Sequence, residues 1–285
     1  MDCEKYHIGI DLGTTNCTCS VLTPNQGIIK VTFDNNTPLL RSALCYTKTG
    51  EKIVGLAAMK RLSEIASHNL ITNSKLLFGC DFNSPYTQEV APSCKADVVN
   101  KDGKAGFFIP SLGRVVLPEE VSEELLRVIY QKAVKRIGDK PIGSVTITVP
   151  VKYSLLQRKL LRNAAVNVGI TCPIHIITEP TAAAIAYGVE NTYRNGNILI
   201  YDLGGGTFDV SIVQIHDGSY FEFINKDGNR SIGGSLFDRL IQNYLEECFQ
   251  KDHFGGQEIP LVPSFLTSAY TSKYLRTLNE LHNTC

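Results

Sequence analysis

The chain has 285 residues, 43% apolar and 20% charged, with 28 basic and 28 acidic side chains. That length supports a large core and, as a soft prior, two domains; the composition excludes a disordered chain, and the charge balance gives no basis for binding nucleic acid or an anionic membrane. No apolar run approaches the roughly 18 residues of a membrane span, and only Met1 to His7 precede the first strand, so no span and no cleaved leader is expected and the expected compartment is the cytoplasm.

In chain order, strands are expected at His7 to Asp11 and Cys17 to Leu22, flanking the turn Asp11-Leu12-Gly13-Thr14-Thr15-Asn16, with Val31 to Phe33 and Ala43 to Tyr46 extending the meander. Residues 56–70 have mixed helical character, and the prolines and glycines of 81–113 read as loops and short hairpins. A helix opens at Pro118, carries Val121, Leu125, Val128 and Ile129 on one face, and stops at Gly138. Next come the alternating strand Val145, Ile147, Val149, a helix with Leu156, Leu160, Leu161, Ala164, Ala165 and Val168 toward the core, and the short strand Ile174 to Ile177. That strand delivers Glu179 at its carboxyl end, where open α/β sheets place ligands. By its residues alone Glu179 is as well read as a cap on the alanine-rich helix that Pro180 opens.

A second acidic turn follows, Ile198-Leu199-Ile200-Tyr201-Asp202-Leu203-Gly204-Gly205-Gly206-Thr207-Phe208-Asp209. Gly233-Gly234-Ser235 then opens a helix with Leu236, Leu240, Ile241, Tyr244, Leu245, Cys248 and Phe249 on one face. The glycine pair fits either an anion site at a helix start or a plain serine cap. Nine cysteines, an odd count at irregular spacing, are expected as reduced, mostly buried thiols; Cys17 and Cys19 have no partner pair, and the histidines, His175 among them, lack metal spacing.

The two turns share one chemistry. Glycines let the backbone approach a phosphate, and threonines add hydroxyl donors. The aspartates look wrong beside a polyphosphate, since two like charges 4 Å apart repel by about 1 kcal/mol in water and about 4 kcal/mol at an effective dielectric of 20. A divalent cation reverses that sign, and Mg²⁺ suits one or two carboxylates plus substrate phosphates. Asp11 and Asp202 are therefore read as metal-facing carboxylates, one from each half of the molecule.

On these residues the chain resembles the nucleotide-binding domain of the 70-kilodalton heat-shock protein family, within the actin and sugar-kinase ATPase superfamily. Val145-Thr146-Ile147-Thr148-Val149-Pro150 resembles the family's connecting strand, and Glu179-Pro180-Thr181-Ala182-Ala183-Ala184-Ile185-Ala186-Tyr187-Gly188 matches it almost letter for letter. The resemblance runs from about Ile8 to about Phe249. It implies an α/β, two-lobed actin-like ATPase (ribonuclease-H-like) fold, with ATP or ADP and Mg²⁺ as ligands. It also implies that Gly13, Thr14, Thr15, Asn16, Gly204, Gly205, Gly206, Gly233 and Gly234 face the phosphates, and that Glu179 makes a water-mediated metal contact. Lys75 resembles the catalytic lysine, although the family has Asp-Ala before it and a basic residue after it. Thr207 and Asp209, on one strand face by the period of two, would orient the attacking water. Pro150 and Arg158 resemble the relay to the family's peptide-binding domain.

The resemblance stops before the nucleotide site is complete. Glu280 is similar to the acidic residue of the family's adenine-clasping helix, but Asn283 and Thr284 stand where the basic clasp is expected, and the closing turn is missing. The expected organisation is a first lobe over 1–190, an incomplete second lobe over 191–254, a divergent tail over 255–285 and no peptide-binding domain, with lower stability than a complete domain. The expected function is Mg²⁺-dependent ATP binding and weak hydrolysis linked to protein folding, with peptide substrate reached only through another chain and with co-chaperones or nucleotide-exchange factors as partners. The alternatives are a nucleotide-sensing or co-chaperone-binding module that does not hydrolyse, and a small-molecule kinase of the same superfamily.

Overall fold

The computed structural model describes residues 5–61, 67–191, 195–218, 220–229 and 231–254. The chain divides into two compact units, Met1–Ser231 and Ile232–Cys285, and the lobe boundary expected at 190 falls inside the first.

The first unit is built on a six-stranded sheet. Strands β1 (Tyr6–Leu12), β2 (Asn16–Thr23) and β3 (Gly27–Lys30) form an antiparallel meander, and β4 (Leu39–Arg41) pairs with β2. Beyond β1, β11 (Ile142–Val149) and β12 (Ile174–Thr178) add in parallel, giving the order β12-β11-β1-β2-β3. Alternation sets the faces: Ile8, Ile10 and Leu12 of β1 and Val145, Ile147 and Val149 of β11 are buried. A shared register, with Ile10 opposite Ile147, puts them in one core layer.

Two further sheets lie between these strands in sequence. The smaller, β6-β5-β7, comprises β5 (Leu44–Tyr46), β6 (Lys52–Val54) and β7 (Leu70–Ile71). Ala43 to Tyr46 therefore does not extend the first meander as expected, and Val31 to Phe33 is irregular, the third strand having closed one residue earlier at Lys30. The other sheet, β10-β9-β8, comprises β8 (Asp97–Lys101), β9 (Lys104–Ile109) and β10 (Arg114–Val116). It replaces much of the expected loop with hairpins, the tightest turning through Asp102 and Gly103, both at positive φ as a two-residue hairpin turn needs. A short helix, α2 (Pro85–Val90), went unread; Ser84 accepts the Thr87 N–H as its cap. Of the segment expected to be helical, α1 covers Leu56–Lys60, and 62–66 lie outside the described residues.

Helices α3 (Pro118–Ile137) and α4 (Leu155–Asn167) pack together beside the large sheet. Glu119 and Glu120 sit at the positive end of α3, Lys135 and Arg136 at its negative end, and Gly138 stops it. Val121, Leu125 and Ile129 are buried as expected, and so is Leu126. Ser154 and Gln157 cap α4 reciprocally, each side chain accepting the other's N–H. Leu161, Ala164 and Ala165 of α4 are buried, but Leu156, in its first turn, is exposed rather than in the core.

After α5 (Glu179–Asn191), a second antiparallel meander, β13 (Gly196–Leu203), β14 (Phe208–His216) and β15 (Tyr220–Asn229), repeats the order of β1, β2 and β3. Its turn between the first two strands again follows an aspartate at a strand end. Of the second unit, the described part is α6 (Gly234–Phe254), which begins before Ser235, so that serine is not its cap. Leu240, Ile241, Tyr244 and Leu245 of α6 are exposed. Among the described residues no helix is long and apolar enough to cross a membrane.

Candidate functional site

The first turn joins β1 to β2 and is fastened from behind by Ser42. Its hydroxyl donates to the Gly13 carbonyl at 2.7 Å, and its N–H donates to the Thr15 carbonyl at 2.9 Å. In a trans peptide the carbonyl and the following N–H point opposite ways, so tying down Gly13 O turns the Thr14 N–H away from Ser42. Cys17 lies 3.2 Å from the same hydroxyl, and burial pushes its thiol up to about 11. That cysteine is packing rather than a nucleophile.

The second turn, between β13 and β14, is closed by the Gly204 N–H donating to Thr207 O at 2.9 Å. It presses against the first. A Cβ added to Gly205 would lie 1.7 Å from Thr15 Oγ1, and one added to Gly206 would lie 2.8 Å from Thr14 Cγ2. Glycine is required at both positions for the turns to touch. Thr15 Oγ1 is buried without a hydrogen-bond partner, which costs roughly 1–3 kcal/mol unless a ligand supplies one.

The carboxylates gather around this contact. Asp11, at the end of β1, accepts the Thr148 hydroxyl at 2.6 Å from β11. Asp202 stands directly across the β13–β14 ladder from Asp209, a like-charge pairing that destabilises a sheet. Burial first, then Asp209 and Asp11, raise the Asp202 carboxyl above its ordinary value. Glu179 opens α5, and its carboxylate receives Lys75 Nζ at 2.6 Å. Burial raises Glu179 even so, with Asp11 and Asp202 adding to the rise and Lys75 only opposing it. Lys75 sits on a short 3-10 turn, Ser74–Leu77, entered through Asn73 at φ 57.

These groups line one cavity of about 380 Å³. It brings together Asp11, Gly13, Thr14, Thr15, Asn16 and Lys75, all from the first half of the chain. Glu179, Asp202, Gly204, Gly205 and Thr207 face them. Gly206 reaches it through Thr14, while Asp209 and Thr207 line a smaller space behind it. Gly233 and Gly234 belong to the second unit, and Glu280 lies outside the described residues. Among the described residues no three acidic, histidine or cysteine side chains are close enough to hold a metal by themselves. An orphaned hydroxyl, two glycines without room for a side chain and a surplus of carboxylates fit a polyphosphate with its cation.

Sequence reasoning missed Thr148, Ser42 and Lys152. Thr148 had a signal: it lies on the face of the alternating strand opposite to Val145, Ile147 and Val149, at the carboxyl end where parallel strands carry sites. Ser42 acts through pairing across the fold and left none. Arg158 donates to Tyr153 O at 3.2 Å, within the link that follows Pro150.

Comparison with known proteins points the same way. The family described as Hsp70 protein matches residues 7–257. A protein named "Chaperone protein dnaK" from Cyanophora paradoxa is 36% identical over 246 residues, covering 86% of this chain and 38% of its own length. The chain thus spans well under half the length of that relative.

Proposed function

The chain belongs to the Hsp70 protein family, and from that membership we propose that it binds ATP with Mg²⁺ between its two glycine turns and hydrolyses it slowly to ADP and phosphate. The observation that carries the proposal is the contact of the turns, Gly205 on Thr15 and Gly206 on Thr14, with Asp11 and Asp202 at the same cavity. Thr14 and Thr15 donate hydroxyls to phosphate oxygens, and the Thr15 hydroxyl gains the partner it lacks. Asp11 and Asp202 would hold Mg²⁺, with Glu179 as the third acidic neighbour. When bound, the ion supplies charge neutralisation for the polyphosphate.

Lys75 turns from Glu179 toward the terminal phosphate and stabilises the charge that develops there. Thr207 and Asp209 orient the attacking water. Its oxygen joins the terminal phosphorus as the bond to the bridging oxygen breaks, and its proton leaves with the phosphate product. Protein folding is the process that this hydrolysis serves, and co-chaperones or nucleotide-exchange factors act on the chain. A cytoplasmic setting goes with this, because among the described residues no cysteine is in a disulfide; Cys17, Cys19 and Cys45 are buried and the others half-buried. Membership in the family favours neither the non-hydrolysing module nor the small-molecule kinase.

Single-turnover hydrolysis of labelled ATP tests the reading. Lys75→Ala lowers the rate by about 100-fold, the order of one electrostatic stabiliser removed from a transition state. A variant that keeps the wild-type rate contradicts the role given to Lys75.

A further inference from the structure

A second space of about 40 Å³ lies behind the cleft. Thr14, Lys75, Pro150 and Thr207 line both and so form the partition between them. The remaining walls include Lys152, Tyr153, Gln157 and Asp209. One water needs about 10–15 Å³, so the space holds more than a water and excludes a nucleotide.

Lys152 is the feature that sets this chamber apart. It follows β11 by three residues, and its ammonium crosses to β15, donating to Gly228 O at 3.0 Å. Gly228 in turn lies against Asp209, since a Cβ there would come within 2.8 Å of Asp209 Oδ1. An ammonium has three donors, so this bond leaves it capacity to bind an anion. The chamber is lined by two lysines, Lys75 and Lys152, against one acidic residue, Asp209.

At the front, Asp11, Asp202 and Glu179 line the space that Mg²⁺ and ADP would still occupy after hydrolysis, so a phosphate ion leaving that way meets the retained nucleotide. The back chamber is the space left to an anion formed at the partition, and Lys152 is the lysine that lines it without lining the front.

We propose that this chamber is a subsite for inorganic phosphate leaving the cleft, with Lys152 as its binding cation. The inference rests on the ATP-hydrolysis reading above. Lys75 and Lys152 then act in relay, the first holding the phosphate as the terminal group of ATP and the second holding it once the bond has broken.

Equilibrium dialysis of labelled orthophosphate against the protein saturated with Mg²⁺ and ADP tests this. Lys152→Gln weakens phosphate retention by about tenfold, and Lys152→Arg, which keeps the charge and is itself a phosphate binder, stays within about threefold of wild type. Wild-type retention by Lys152→Gln overturns the proposal, because phosphate then sits at the front alone. Equal losses in the two variants also overturn it, because the tie to Gly228 rather than the charge would then be what matters. Failure of the nucleotide reading shows separately, as a chain that does not retain ADP. The same dialysis without nucleotide still compares the variants, since both lysines line the chamber in the free protein.

Discussion

Strands β1 and β13 carry the same device on opposite terms. Each carries an aspartate one residue before its end, each leads a three-stranded antiparallel meander, and each feeds a glycine turn into the shared cavity. Yet Ile8, Ile10 and Leu12 are 1%, 2% and 5% exposed, while Leu199, Tyr201 and Leu203, at the matching positions before and after Asp202, are 65%, 66% and 43% exposed. Two parallel strands flank β1 on the side away from its meander; among the described residues β13 pairs with β14 alone. The difference teaches that the phosphate chemistry and the packing are separable. The chemistry needs the turn, its glycines and the opposing turn, whereas the stability of the half that supplies it depends on what covers the strand.

The largest expected effect tests that separation through stability. Ile10→Ala deletes buried methylenes in the main core and costs about 3 kcal/mol of unfolding free energy, while Leu199→Ala at the matching strand changes it by less than about 0.5 kcal/mol. Urea melts of the two variants check this, and equal costs would mean that β13 is packed as tightly as β1.

A smaller effect tests the chemistry. Gly205→Ala forces a methyl group onto Thr15 and separates the turns, which weakens ATP binding by about thirtyfold, or ~2 kcal/mol. Gly205 is half-buried in a turn rather than in the core, so the melting temperature moves by only a few degrees. Titration calorimetry and thermal melting together decide it, and unchanged affinity would show that the contact is incidental.

The smallest effect lies within the well-packed half. Both carboxylate oxygens of Glu119 are buried with no hydrogen-bond partner outside the residue itself, and burial raises its carboxyl above the ordinary 4.5, outweighing its own backbone N–H and nearby Lys104, with Glu120 and Glu123 adding to the rise. A raised folded value means that the folded state holds the proton more tightly than the unfolded one. That stabilisation is present below about pH 4.5 and is lost as the pH rises through the raised value. Glu119→Gln flattens this dependence and raises neutral-pH stability by about 0.5–1 kcal/mol. Melting curves across pH 4–7 check the slope, and parallel curves for the two proteins would refute it.

Much of the site was legible in sequence because its chemistry is local. Asp11 to Asn16 and Asp202 to Thr207 are contiguous, their glycines and hydroxyls are distinctive, and the alternation of β11 and the proline and glycine bounds of α3 fix elements by residue type alone. What escaped was contact between distant segments. Ser42 and Lys152 act through pairing that only the folded chain creates, and Leu156 has a helical period yet faces solvent because it lies in the first turn of α4, ahead of the packed stretch. Ala43 to Tyr46 reads as a strand correctly, but the sheet it joins is chosen by partners, β6 and β7, that periodicity does not name.

The central claim is that the two turns make one metal-dependent phosphate site. Calorimetric titration of ATP into the wild type, Asp11→Asn and Asp202→Asn, each with and without Mg²⁺, tests it most directly. The account predicts binding that Mg²⁺ strengthens in the wild type and an enhancement lost in either variant, since the two carboxylates come from opposite turns and serve one ion. Enhancement surviving in one variant would contradict it, assigning the metal to a single turn.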